Sequence, residues 1–304
     1  MNKSKIENKI KGSLYGFAIG DAMGATTEFR DVEFIKKHYG KVTNIIGGGA
    51  FNLPAGHGTD DTAMTLCVCE AIEYGFGHVR NWSYHEHSSR EEAMLDRCCE
   101  NFIEWLKTDG LGCGRCCYES IMANIYSTSY KEWIRKTFEP KDMPDDKRRL
   151  GNGSLMRTMP IVLAGLSEDL AISQSQLTHN NIMCDTVISI YYRNLENILL
   201  YGKLKSHATK LAEPTGHVCN TLNNALYWVQ NTKTFEDAII NPVNHGGDSD
   251  TIAAITGSMA GALYGYDAIP QRWIDKLSSD VKASLDKYAK LFEKINKNVC
   301  TNIE

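Results

Sequence analysis

Apolar residues along this chain recur at intervals of three and four far more than they alternate. Ile6, Ile10, Leu14 and Phe17 fall on one helical face, and Ile252, Ile255, Met259 and Leu263 on another. Ile182, Thr186 and Ile190, followed by Leu195, Ile198 and Leu199, outline a third. Such spacing predicts amphipathic helices. Convincing period-two strands are missing, and no internal repeat appears. The pattern predicts an all-α chain, a compact orthogonal bundle of many helices joined by short loops. Residues 139–153, rich in Pro, Asp, Lys and Gly, read as the longest loop, an excursion within one domain spanning 1–304. A last helix is expected over about 278–297, with a polar tail beyond it.

Two of these helices carry glycine at every fourth position. Gly12, Gly16, Gly20 and Gly24 form one stripe; Gly257, Gly261 and Gly265 form the other. A glycine inside a helix costs roughly 1 kcal/mol relative to alanine, so a stripe needs a compensating reason. Close backbone approach is that reason, as in small-residue helix contacts in membranes. Asp21 inside the first stripe argues against lipid. The two helices are therefore expected to lie together in a water-soluble core, with their ends at the chemistry.

Composition narrows the picture. A chain of 304 residues with 42% hydrophobic content can bury a large core. The formal net charge is -4, and the longest basic run is Lys147-Arg148-Arg149. Binding along a phosphate backbone needs a broader basic surface, so a nucleic-acid partner is disfavoured. Ten cysteines include the adjacent pairs Cys98-Cys99 and Cys116-Cys117, in a chain far longer than a stapled secreted scaffold. They read as reduced thiols. Cys113-Gly114-Arg115-Cys116 has redox-motif spacing without a strand-rich context, and a zinc site completed by His85 and His87 is a weak match. Lys3, Lys5, Lys9 and Lys11 before Leu14–Ile19 mimic a secretory signal, but the apolar run is short and Asp21 interrupts it. No stretch approaches a membrane span. The reading is a cytoplasmic monomer with no membrane partner.

The chemistry concentrates in two short acidic clusters far apart in sequence. Thr59-Asp60-Asp61-Thr62 follows a Pro-Ala-Gly-His-Gly turn and opens an apolar helix. Gly246-Gly247-Asp248-Ser249-Asp250-Thr251 does the same. Either cluster alone reads first as a helix cap, since acids and hydroxyls satisfy helix N-termini. Each has more carboxylates than a cap requires, and adjacent carboxylates repel unless water or a cation neutralises them. Hard divalent cations prefer oxygen ligands of this kind. Taken together, in matching contexts, the clusters point to a central binuclear metal site. An EF-hand is excluded: its turn glycine would be Ala253 and its bidentate acid Met259.

Four blocks then occur in order: Gly16–Ala25 with Glu28-Phe29, Thr59–Thr62, Gly151-Asn152-Gly153-Ser154-Leu155-Met156-Arg157, and Gly246–Thr251. With them the chain resembles the ADP-ribosylglycohydrolases over about residues 12–265. The resemblance implies an all-α fold and two divalent cations, Mg2+ or Mn2+. Their ligands would be Thr59, Asp60 and Asp61 from one side and Asp248, Asp250 and Thr251 from the other. It implies Glu28 on a mobile loop near the metals, Asn152, Gly153 and Ser154 against a diphosphate or ribose, and His179 near the ribose. The implied reaction is hydrolysis of the glycosidic bond joining ADP-ribose to an acceptor, either a modified protein side chain or a small ADP-ribosyl compound. Two departures stand out. Gly58 occupies a place where many relatives have tryptophan. Asp109 sits one position early for an acid that some members carry.

The residues agree with that chemistry. Two metals can clamp the vicinal hydroxyls of a ribose and activate water, while a carboxylate moves a proton. Glu28 is the first candidate for that carboxylate, with Asp60 or Asp61 as partner, or else Glu28 is only a ligand. Without the family, Glu28 reads as a surface acid paired with Arg30. The Gly153 turn suits a phosphate, Ser154 could start the following helix, and Arg157 could pair with diphosphate or a core acid. His179 reads equally as a satisfied helix-end histidine. Two rival functions remain: a binder of ADP-ribose without turnover, and a two-metal nucleotide phosphoesterase releasing phosphate or AMP.

Overall fold

Two helices from opposite ends of the chain form the centre of the molecule. The computed structural model describes residues 3–77, 89–137 and 149–301. His85, His87, Lys147, Arg148 and most of the stretch 139–153 lie outside the described residues. The first helix, α1 (Lys3–Gly24), runs antiparallel to α12 (Ser249–Tyr264). Their glycines face each other. A Cβ on Gly12 would lie 2.3 Å from the Gly261 carbonyl oxygen, one on Gly16 2.2 Å from that of Gly257, and one on Gly20 2.2 Å from that of Ala253. Conversely, a Cβ on Gly257 would lie 2.1 Å from the Gly16 oxygen. No side chain fits between these backbones, which explains the cost accepted in helix propensity. Gly265 departs from the stripe. It takes φ 86° and ends α12, donating its amide to the Gly261 carbonyl at 2.9 Å.

The other helices wrap this pair. In chain order they are α2 (Val32–His38), α3 (Asp60–Phe76), α4 (Arg90–Thr108), α5 (Arg115–Asn124), α6 (Tyr130–Thr137) and α7 (Met159–Leu163). Then follow α8 (Glu168–Gln176), α9 (Ile182–Tyr201), α10 (Val218–Asn231), α11 (Phe235–His245), α13 (Gln271–Lys276) and α14 (Ser279–Thr301). The described residues contain no strand, only isolated bridges such as Arg30 to Gly247 and Gly151 to His217. No helix among them is long and apolar enough to cross a membrane.

Two expectations are corrected. Along α9 the residues Ile182, Thr186 and Ile190 share a face, but that face is exposed; Ile182 is 78% accessible. The buried face runs through Cys184, Val187, Ile188, Tyr191 and Leu195. Leu195, Ile198 and Leu199 of the same pattern are buried, so the spacing showed the helix and marked its core side only in the second half, because apolar residues occur on both faces. The helix expected to start at Ser154 begins five residues later. The Leu155 and Met156 amides fold back onto the Asn152 carbonyl at 2.8 and 3.1 Å, and Pro160 in the first turn of α7 sets the start.

Candidate active site

The antiparallel seam delivers the C-terminal end of α1 and the N-terminal end of α12 to the same place. A Cβ on Gly24 would come within 2.5 Å of Asp250 Cα. The N-terminus of α3 arrives beside them, so the two acidic clusters meet. Thr251 Oγ1 donates to Asp61 Oδ2 at 3.2 Å, joining residues 190 positions apart. Capping accounts for little of this acidity. In α3 the cap is Thr59, whose hydroxyl accepts from the Asp61 amide at 3.2 Å. At α12, Asp248 stands at the cap position and makes no capping hydrogen bond through its side chain.

Carboxylate oxygens are left without partners. Glu28 Oε2, Asp61 Oδ1 and Asp250 Oδ1 are buried and make no hydrogen bond. Oxygens of Glu28, Asp248 and Asp250 lie within 4.8 Å of one another, the one group among the described residues arranged to hold a metal ion. Burial pushes each of these acids above its ordinary range, and for Glu28 and Asp250 the neighbouring carboxylates add to it. The Glu28 carboxyl is raised to about 8, by burial and then by Asp248. Asp248 is raised to about 6 by burial, against which Asn152 pulls it back. Asp60 is raised by burial and by Asp21, Asp61 by burial and by Asp21, and Asp250 by burial and by Glu28. Buried, crowded acids with orphaned oxygens fit hard divalent cations, which supply both the charge and the missing partners.

Behind the cluster, Asp21 is fully buried and ties the first acidic turn down. It accepts from the Thr59 amide and the Thr62 amide, both at 3.0 Å, from Thr59 Oγ1 at 3.0 Å and from Thr62 Oγ1. Burial raises its carboxyl while these four donors pull the other way. Gly58 makes the arrangement possible: a Cβ there would lie 2.4 Å from Asp21 Oδ2 and 2.6 Å from Thr62 Oγ1. The departure noted at this position therefore serves the anchor.

The opposite side of the cavity is built differently. The turn Gly151–Gly153 and His179 line it, with Met156 and Cys117 beside them. The Asn152 side-chain amide donates to Asp248 and to Thr221 Oγ1 at 3.0 Å, bridging the two sides. His179 is buried, with Nδ1 2.8 Å from Thr178 Oγ1, and burial together with Arg157 and Arg149 pushes its pKa down to about 3. Between the two sides lies a cavity of about 240 Å³.

Comparison with known proteins gives this cavity a lineage. A family profile described as ADP-ribosylglycohydrolase matches residues 2–192 and 185–299. The chain belongs to the ADP-ribosylglycohydrolase family. With that family it is a glycosidic-bond hydrolase. It is 28% identical over 306 residues to the ADP-ribosyl-[dinitrogen reductase] glycohydrolase of Rhodospirillum rubrum, covering 94% of this chain and 95% of that one. It is 27% identical to the ADP-ribosylarginine hydrolase Tri1 of Pseudomonas putida, covering 89% and 74%. A solved structure titled ADP-ribosylglycohydrolase-related protein complex shares the fold with a TM-score of 0.73, at 23% identity, over 96% of this chain and 99% of that one.

Within this glycohydrolase, Glu28, Asp60, Asp61, Asp248, Asp250, Thr251, Asn152, Gly153 and His179 all line the one cavity. Thr59 and Ser154 do not. Thr59 sits just behind, its hydroxyl held by Asp21. The Ser154 hydroxyl is fully buried and accepts from Ser175 Oγ at 2.8 Å. The segment carrying Glu28 meets the rest of the fold on both sides of that residue, with Thr27 Oγ1 donating to the Val243 carbonyl at 2.7 Å and the Phe29 amide to the Gly247 carbonyl at 2.7 Å. Arg30 turns away from Glu28 and stacks 4.6 Å over the Phe34 ring. Asp109 is exposed at the end of α4; Gly112 is the residue that meets Asp60. Reasoning from sequence missed Asp21 as anchor, Thr178 as the His179 partner, and Gly216, whose carbonyl accepts from the Asn152 amide at 3.0 Å. A single charged residue within the otherwise uncharged glycine stripe 12–24 was the available signal for Asp21.

Proposed function

We propose that this chain hydrolyses the glycosidic bond between ADP-ribose and an acceptor, using two divalent cations, Mg2+ or Mn2+, and releasing ADP-ribose. The observation that carries the reading is the meeting of Asp60-Asp61 with Asp248–Thr251 around unpartnered buried oxygens, across one cavity from the Gly151–Gly153 turn and His179. Thr59, Asp60, Asp61, Asp248, Asp250 and Thr251 would hold the cations, Thr59 through a small shift of a hydroxyl now bonded to Asp21. When bound, they would polarise vicinal hydroxyls of a ribose and make a coordinated water acidic.

The chain's own residues do the rest. Asn152 orients Asp248 through its amide. The Gly153 turn and His179 bind and place the sugar-phosphate portion, and burial excludes bulk water from the acids. Glu28 holds or accepts a proton at Oε2, its unpartnered oxygen, on the acid side of the cavity. Relatives named for dinitrogen reductase and for ADP-ribosylarginine make an arginine-linked protein the first acceptor to try. The proposed setting is the reducing cytoplasm, in keeping with the adjacent pairs Cys98-Cys99 and Cys116-Cys117 in a long chain. The proposed form is a monomer.

A product assay on defined ADP-ribosyl linkages, in magnesium and in manganese, tests this. Intact ADP-ribose, formed only with added cation, is the expected product. AMP or phosphate as product, or full activity after exhaustive chelation, overturns the reading.

A further inference from the structure

Arg157 is fully buried, and among the described residues every acceptor it meets is neutral. Its Nε donates to Gln174 Oε1 at 2.9 Å, Nη1 to the Gly153 carbonyl at 2.8 Å, and Nη2 to Thr178 Oγ1 at 2.7 Å. The guanidinium also lies 4.5 Å over the Phe102 ring. A guanidinium only donates, so Thr178 Oγ1 must accept from it. The single hydroxyl proton of Thr178 has one acceptor within reach among the described residues, His179 Nδ1 at 2.8 Å, and the opposite direction would leave that proton buried without a partner. In a neutral imidazole with Nδ1 accepting, the proton is on Nε2. Burial and the two neighbouring guanidiniums keep the ring neutral.

Nε2 has no partner among the described residues, and the wall around it is stripped of side chains. A Cβ on Gly151 would lie 3.1 Å from Nε2, and one on Gly153 3.2 Å from Cε1. Both glycines and the histidine line the cavity.

We propose that Arg157 and Thr178 are positioning residues that lock His179 as the Nε2–H tautomer and aim that N–H past the Gly151–Gly153 turn, as a fixed donor to a hydroxyl or phosphate oxygen of the ligand. Arg157 reaches the same turn through the Gly153 carbonyl, so one buried cation sets both the loop and the ring. His179 is thereby a hydrogen-bond donor and takes no part as a base. The identity of the ligand rests on the ADP-ribose reading above; the tautomer does not.

Two measurements separate them. Nitrogen-resolved NMR of the ligand-free protein, with His179→Gln assigning the signals, should show Nε2 protonated and Nδ1 bare near neutral pH. Thr178→Ser should keep that state, and Thr178→Val, which cannot donate to Nδ1, should turn it into a mixture of tautomers. Calorimetry with ADP-ribose should then show about tenfold weaker binding for Thr178→Val, the loss of one well-placed hydrogen bond, and near-native binding for Thr178→Ser. A protonated Nδ1 in the wild type, or a tautomer unchanged in Thr178→Val, overturns the inference. So does Thr178→Ser binding as poorly as Thr178→Val. Wild-type protein that shows the Nε2–H tautomer and binds no ADP-ribose defeats the proposed function and leaves the tautomer standing.

Discussion

The two sides of the cavity have opposite deficits. On the acid side, Glu28, Asp60, Asp61, Asp248 and Asp250 crowd together with too few donors, and three of their oxygens are orphaned. On the other side, Arg157, Thr178, His179 and Gln174 form a chain in which the donors find neutral acceptors. The first has unmet acceptors and crowded acids that a bound cation would satisfy; the second has its hydrogen bonds made within the chain, apart from the N–H proposed to face the ligand. A deficit of positive charge that the protein leaves unmet is costly in stability, so it points to a ligand that is meant to arrive. A satisfied network points to positioning.

The sharpest way to break this contrast is to remove one acid. Asp250→Asn should cut cation-dependent hydrolysis by roughly a hundredfold or more, a loss comparable to deleting one strong electrostatic partner at a reacting centre. The same change should raise the melting temperature of the chelated protein, because one buried repelling charge is gone. A purely structural acid would give the reverse: lower stability and modest kinetic change. Kinetics with paired melting curves, with and without cation, distinguish the two.

Next in size is the seam that carries α1 and α12 to the acids. Gly16→Ala forces a methyl to within 2.2 Å of the Gly257 carbonyl oxygen. Denaturant unfolding should show a loss of about 2–3 kcal/mol, the range for overfilling a tight contact. A neutral result would mean that the helices are not in backbone contact.

The acid side also sets the pH response. Glu28 keeps its proton in the folded chain up to about 8, while in the unfolded chain it releases it near 4. Unfolding in that window releases a proton, so stability falls as pH rises. His179 and His245 work in the other direction, since both are held neutral by burial, but above about pH 6.5 they are neutral in either state. Between about pH 6.5 and 8 the chelated protein should lose about 1–2 kcal/mol. Saturating divalent cation should raise the melting temperature and flatten that slope. A slope unchanged by cation would detach the acids from metal binding.

How far the sequence reached follows the same division. The acid clusters were legible because two Asp-x-Asp or Asp-Asp groups at helix starts exceed what capping requires, and the glycine stripes because a four-residue repeat of costly residues needs a packing reason. The donor wall was mostly illegible. Arg157, Thr178 and Gln174 look ordinary in isolation, and only their convergence makes them a unit. Arg157 meets no core acid among the described residues; its donors go to Gln174, the Gly153 carbonyl and Thr178. Ser154 shows a related limit: a hydroxyl after a glycine turn can face either way, and here it packs against Ser175. The core side of α9 was legible at Leu195, Ile198 and Leu199 but not in its first half, where Ile182 and Ile190 are apolar yet exposed.

The smallest effect tests the boundary of the acid side. Asp109 lies near the cavity in sequence, three residues before Gly112, but its side chain is exposed at the end of α4. Gly112 has φ 80°, and a Cβ there would come 2.6 Å from Asp60 Oδ1. Asp109→Ala should therefore change stability by no more than about 0.5 kcal/mol and leave hydrolysis as it was, as for surface sites generally. Gly112→Ala, three positions on, should displace Asp60 and weaken cation binding, read as a rightward shift of the cation dependence of activity. If Asp109→Ala produced that shift and Gly112→Ala did not, the acid side would extend to the end of α4, and the division between an unfinished wall and a finished one would have to be redrawn there.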